Sequence, residues 1–142
     1  GKGYYIPTPQ NKEETLAILE EFRPVFENET ILKIGQNIKY DLLVLKWYGI
    51  DLKGELFDTM LAHYLVEPDQ RHNMQVLSEH YLNYSPISIE SLIGKKGKNQ
   101  LSMRDVALED IKEYATEDAD VTYQLKEHFQ YYPEYFDFIY NI

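Results

Sequence analysis

Two aspartates stand where helices should present apolar side chains, and that misplacement is where chemistry becomes possible. Read at helical period, the stretch Leu108 to Phe129, LEDIKEYATEDADVTYQLKEHF, carries an apolar stripe through Leu108, Ile111, Ala115, Thr122, Leu125 and Phe129. The position that completes the stripe is Asp118. Its neighbours one turn away are Tyr114, Ala115, Val121 and Thr122, so no base is in register to neutralise it. Glu113, Glu117 and Asp120 fall on another flank and read as solvated charge. Asp41 repeats the pattern on a second predicted helix, beside Ile38, Val44 and Leu45 with Asn37 one turn below, again without a base. A carboxylate turned inward is costly unless it meets a metal, a hydrogen-bond donor or a proton. Two such acids on separate helices predict one shared site. Thiols are absent and His63, His72, His80 and His128 are too scattered for a zinc site on spacing alone. Oxygen ligands then point to a hard cation, Mg2+ or Mn2+, of the kind held by one or two carboxylates plus substrate phosphate.

The elements that must position these acids follow an α/β order. Gly3 to Pro7 (GYYIP) predicts a short strand closed by proline. Asn11 to Glu27 predicts a helix capped by Asn11 with Glu14 three residues on, turning Leu16, Leu19 and Phe22 inward, with Pro24 bending or ending it. Thr30 to Gly35 reads as a strand, and Asn37 begins a helix with the stripe Ile38, Leu42, Leu45 and Tyr48. Glu55 to Phe57 reads as a brief strand, Asp58 as the N-cap of a helix Met60 to Val66, Pro68 to His72 as a turn, and Met74 to Leu82 as another helix. Tyr131 to Ile142 is rich in aromatics and is expected to pack on something.

Composition bounds the reading. A chain of 142 residues with 44% hydrophobic content fits one domain with a real core, residues 1–142. No run reaches membrane-spanning length and the first residues carry no signal-peptide pattern, which predicts a soluble protein with no membrane partner. Net charge is −10, which argues against a free-standing nucleic-acid binder. Enzymes that cut phosphodiesters with metal ions nevertheless need clustered acids, and the attraction can come from the metal or from a neighbouring domain. Gly94 to Gln100 (GKKGKNQ) holds the dense positive cluster, Lys95, Lys96 and Lys98, either a solvated loop or one that touches phosphate.

GQNIKYD, Gly35 to Asp41, and YATEDAD, Tyr114 to Asp120, resemble the second and third motifs of the 3′-to-5′ proofreading exonuclease domain in the bacterial DNA polymerase I family. YGIDLKGELFDTMLAHYL, the RHNM turn, GKGKNQL and EDADVT lie in that family's order and spacing. The resemblance implies a ribonuclease-H-like (DnaQ-like) α/β fold and a two-ion site that hydrolyses the terminal phosphodiester of a primer strand, the ions about 4 Å apart. It implies that Asp118 ligates the more tightly held ion, that Asp41 serves the second through water, and that Tyr114 orients the attacking water. Gln36, Asn37, Tyr40 and Arg71 match positions that hold the single-stranded DNA 3′ end. The implied partners are that strand and the polymerase domain of the same parent chain, in a bacterial cytoplasm at the nucleoid.

The family's first motif, Asp-x-Glu on its first strand, is absent from these residues. The resemblance therefore implies an exonuclease domain truncated at the N-terminus, a fragment lacking its first two strands, with little or no activity alone. In that fold the missing strand is central. Either Gly3 to Pro7 moves in beside Thr30 to Gly35, or an intermolecular contact fills the exposed sheet edge. Two other functions compete: a degenerate domain kept as a platform for the polymerase, and a ribonuclease D-like RNA exonuclease.

Overall fold

The computed structural model describes residues 2–132. Helix α1, Lys12–Phe26, begins at Asn11, whose Oδ1 accepts from the amides of Glu13 and Glu14 at 2.9 and 3.0 Å. That satisfies two donors that the first helical turn leaves without partners. Pro24 does not end the helix, which continues for two residues to Phe26. Arg23 braces that turn, donating to Glu20 and Glu27 at 2.6 Å and to the Gly49 carbonyl at 3.0 Å.

Strand β1, Lys33–Gly35, leads through helix α2, Ile38–Trp47, to strand β2, Leu56–Asp58. The strands are parallel, with Lys33 opposite Leu56, Ile34 opposite Phe57 and Gly35 opposite Asp58, and α2 is the crossover such a pair needs. β1 is shorter than the alternation of 30–35 suggests. Asn28 Oδ1 takes both the amide and the hydroxyl of Thr30, at 2.8 and 2.7 Å, which folds the start of that run into a turn. Helices α3, Thr59–Val66, and α4, Met74–Leu82, follow, then the short α5, Ile89–Ile93, a 3-10 turn at Met103–Asp105, and α6, Leu108–Phe129.

Gly3 to Pro7 is not a strand. Among the described residues the sheet holds only β1 and β2. Gly3 instead lies against α6, where an added Cβ would come within 2.9 Å of the Thr116 Cβ, and the Pro9 carbonyl accepts from the Thr15 hydroxyl at 2.8 Å. A β-favouring run expresses itself only against a partner strand, and this one finds a helix surface. The expected move beside β1 does not occur.

α6 packs on α4, α3 and β1. Leu77, Leu125 and Phe129 are fully buried, with Phe57, Ala62 and Val121 around them. Each large side chain buried there contributes about 1.5–3 kcal/mol, so α6 is the element against which the rest is assembled. Tyr132 packs against this core; the remainder of the aromatic terminus, 133–142, lies outside the described residues. Among the described residues no helix is long and apolar enough to cross a membrane.

Candidate active site

The floor of the site is the end of β1. Ile34 and Gly35 open into a cleft of about 490 Å³ walled by α2 on one side and α6 on the other, and the side chains of Asp41 and Asp118 both line it. Gln36, Met74, Thr122 and Tyr123 complete much of the wall. An apolar groove of about 400 Å³ continues from the same strand residues along α2, past Ile38, Tyr40 and Val44. Asp41 belongs to both spaces.

Both acids are electrostatically uncomfortable. Asp41 is exposed and does not face inward as expected, yet desolvation of its carboxyl in the cleft raises it above its ordinary value, opposed by its own backbone amide and assisted by the negative charge of Asp58. Burial likewise raises Asp118, hydrogen bonding to the Tyr114 hydroxyl pulls it partly back, and Glu117 adds to the rise. Tyr114 is pushed up to about 12 by its own burial and then by Asp118, so its phenol is neutral across the physiological range. These are the signs of carboxylates without a cation.

The remaining predicted residues divide. Gln36 lines the cleft but both ends of its amide are engaged: Nε2 donates to the His72 carbonyl at 2.8 Å, and Oε1 accepts from the Thr59 hydroxyl. Asn37 is exposed in the left-handed region, φ 60°, and its side chain makes no capping bond. Tyr40 is 66% exposed and lines the apolar groove rather than the acidic cleft. Arg71 is exposed on the turn whose next residue receives Gln36. Lys95, Lys96 and Lys98 are exposed on the loop after α5 and are not among the cleft's lining residues.

Three relationships escape sequence reading. Glu117 is not solvated charge, since its carboxylate accepts from the Tyr84 hydroxyl and from the Ile87 amide at 2.7 Å, clasping the 84–87 loop to α6. Asp58 caps α3 as expected, through Met60 and Leu61, but also accepts from the amides of Asn37 and Ile38 across the sheet. His63 and His72, distant in sequence, meet at Nδ1 to Nδ1 2.6 Å, with His63 buried. Thr122 and Tyr123, four and five residues beyond Asp118, were the local signal for the cleft wall.

Residues 1–131 match the sequence pattern of a family described as 3′-5′ exonuclease. The chain belongs to this 3′-5′ exonuclease family. Relatives agree: DNA polymerase I of Pseudomonas aeruginosa is 39% identical over 124 residues, covering 85% of this chain and 13% of the relative. DNA polymerase I of Rhizobium leguminosarum is 39% identical over 108 residues, 75% of this chain and 10% of the relative. That of Borreliella burgdorferi is 34% identical over 127 residues, 87% and 13%. The exonuclease-family chain thus spans only 13% or less of the length of these three relatives.

The donor set tests what a cation would find. Among the described residues, no three His, Cys, Asp or Glu side chains are gathered as a metal-holding group. Asp41 and Asp118 are the carboxylates lining the cleft that could offer oxygen to a hard cation, with water and a substrate phosphate supplying the rest. They do not suffice for two ions.

Proposed function

We propose that residues 1–142 form a 3′-to-5′ exonuclease unit of ribonuclease-H-like fold, which hydrolyses the terminal phosphodiester of a single DNA strand presented by the polymerase domain of a longer bacterial chain. The observation that carries this reading is the cleft itself: exposed Asp41 and half-buried Asp118 share it, and desolvation there disfavours the charge of each. A cation removes that cost. Held between the two carboxylates, Mg2+ or Mn2+ would neutralise phosphate charge and acidify a water. Asp118 would hold the more tightly bound ion, and Asp41 would act through water. Tyr114, neutral and one turn from Asp118, orients the water with its hydroxyl. Asn37, Tyr40 and Arg71 receive the strand's 3′ end, with Gln36 bracing the turn that carries Arg71, and the lysine loop meets phosphates further out.

Two acids leave the site short of ligands, so these residues alone cleave little. The outer edge of β1, which carries no strand among the described residues, accepts an extended segment, from elsewhere in the longer chain or from a neighbouring molecule. The absence of a third acid at the cleft, among the described residues, is also what favours the second reading, a platform for the polymerase. An RNA-trimming role is disfavoured by the relatives, which are named DNA polymerases. Degradation of 3′-labelled single-stranded DNA and RNA decides among them, run on this chain and on a longer one that extends it N-terminally. Cleavage of DNA by the longer chain, abolished by Asp118→Ala, supports the exonuclease; inertness of both chains supports the platform; preference for RNA overturns the DNA assignment.

A further inference from the structure

The turn from β1 into α2 is held from outside itself. Asn37 occupies the left-handed region at φ 60° and ψ 47°, which asparagine tolerates better than most non-glycine residues. An asparagine at the head of a helix ordinarily caps it with its own side chain in an extended conformation. Here the left-handed backbone takes the side chain off that path, and it makes no cap bond. Asp58 takes the two donors just before those a cap would serve, while the Tyr40 amide donates to the Asn37 carbonyl at 2.9 Å. Oδ1 of Asp58 accepts from the Asn37 amide at 3.0 Å and Oδ2 from the Ile38 amide at 2.9 Å, while Oδ1 also accepts from Met60 at 2.8 Å to cap α3. The register makes this possible, since Asp58 ends β2 opposite Gly35, two residues before Asn37. Thr59 completes the hold, its hydroxyl lying 3.2 Å from the Gly35 carbonyl and bonded to Gln36.

We propose that Asp58 is a positioning residue: it holds the first amides of α2 across the sheet, which leaves the Asn37 side chain for the DNA strand and fixes the helix turn that carries Asp41 at the cleft. This rests on the reading of Asp41 and Asn37 as site residues given above. One carboxylate serving two helices ties the acid-bearing turn to the β2–α3 junction. Oδ1 alone bridges the two helices, through Asn37 and Met60, and Oδ2 adds the hold on Ile38.

The test compares Asp58→Ser with the parent by amide hydrogen exchange and by Mn2+-induced NMR broadening. Serine is as good a cap for α3 but is too short to span to α2. Exchange at Asn37 and Ile38 is expected to rise about tenfold or more, the factor that goes with the loss of one good hydrogen bond. Exchange at Met60 and Leu61 should change much less, and Mn2+ broadening at Asp41 should require several-fold more metal. Asn37→Ala is expected to leave the Ile38 amide protected while weakening single-stranded DNA binding. If Asp58→Ser fails to fold, Asp58→Asn, which keeps one oxygen and puts an NH2 in place of the other, is read at Ile38 alone, whose exchange should rise while that of Met60 does not. Unchanged exchange at Asn37 and Ile38, or equal acceleration at all four amides, overturns the proposal. Absence of Mn2+ broadening at Asp41 in the parent overturns the reading of the cleft instead, and leaves the exchange comparison to decide the role of Asp58.

Discussion

Asp41 on α2 and Asp118 on α6 open into one cleft at the end of β1, although among the described residues no base stands beside either. The arrangement is a consequence of packing. α6 lies on β1 through its apolar stripe, and α2 leaves the same strand after a two-residue turn, so an acid one turn into α2 and an acid on the inner flank of α6 are brought to one place. Nothing in either helix neutralises them.

Burial raises the Asp118 carboxyl in the folded chain, so the folded state holds its proton more tightly than the unfolded one. The corresponding stability is present below the ordinary carboxylate range and is lost as pH rises through the raised value. Asp118→Asn is therefore expected to raise the melting temperature at pH 7 and to have no effect near pH 3. Thermal melts at both pH values without divalent cations check this; a lower melting temperature at pH 7 contradicts it.

His63 has the opposite sign. Burial and the neighbouring His72, whose Nδ1 lies 2.6 Å from that of His63, lower its affinity for a proton in the folded state. Stability is then present above the ordinary histidine value, about 6.5, and is lost as pH falls below it. Denaturant melts between pH 8 and 5 should show a decline that His63→Leu flattens; an equal decline in the variant places the titration elsewhere.

Glu117→Ala removes the acceptor of both Tyr84 and the Ile87 amide. Leaving those donors without a partner is expected to cost about 1–3 kcal/mol. Glu117→Gln, which keeps one acceptor oxygen, should cost less. A change within about 0.5 kcal/mol for the alanine variant, the range of an ordinary surface substitution, would return Glu117 to solvated charge.

If the loop of Lys95, Lys96 and Lys98 touches phosphate, replacing all three by alanine weakens single-stranded DNA binding. Its salt dependence should then flatten by about 0.7 in log–log slope for each phosphate that a lysine had neutralised. An unchanged slope makes the loop a solvated one.

The long helix was legible because its signal is internal: a stripe at constant period over its whole length gave the bounds Leu108–Phe129 that the structure has. Asn11 and Asp58 as caps were legible for the same reason, each acting on amides two or three residues away. What failed depended on distant partners. Gly3 to Pro7 has strand-forming residues but no strand beside it, and settles on α6. Glu117 sits on an outer flank of its own helix, and only the return of a loop 30 residues earlier covers it. The bonds of Asp58 to Asn37 and Ile38 depend on strand register, which alternation over three residues cannot specify.

The central claim is that Asp41 and Asp118 hold one cation between them, and Mn2+ titration followed by paramagnetic NMR broadening tests it most directly. Resonances of both aspartates should broaden together at the lowest metal concentration, and Asp118→Ala should abolish the effect at Asp41 as well as at position 118. Broadening spread over the surface acids, or persistence at Asp41 in Asp118→Ala, would contradict the account.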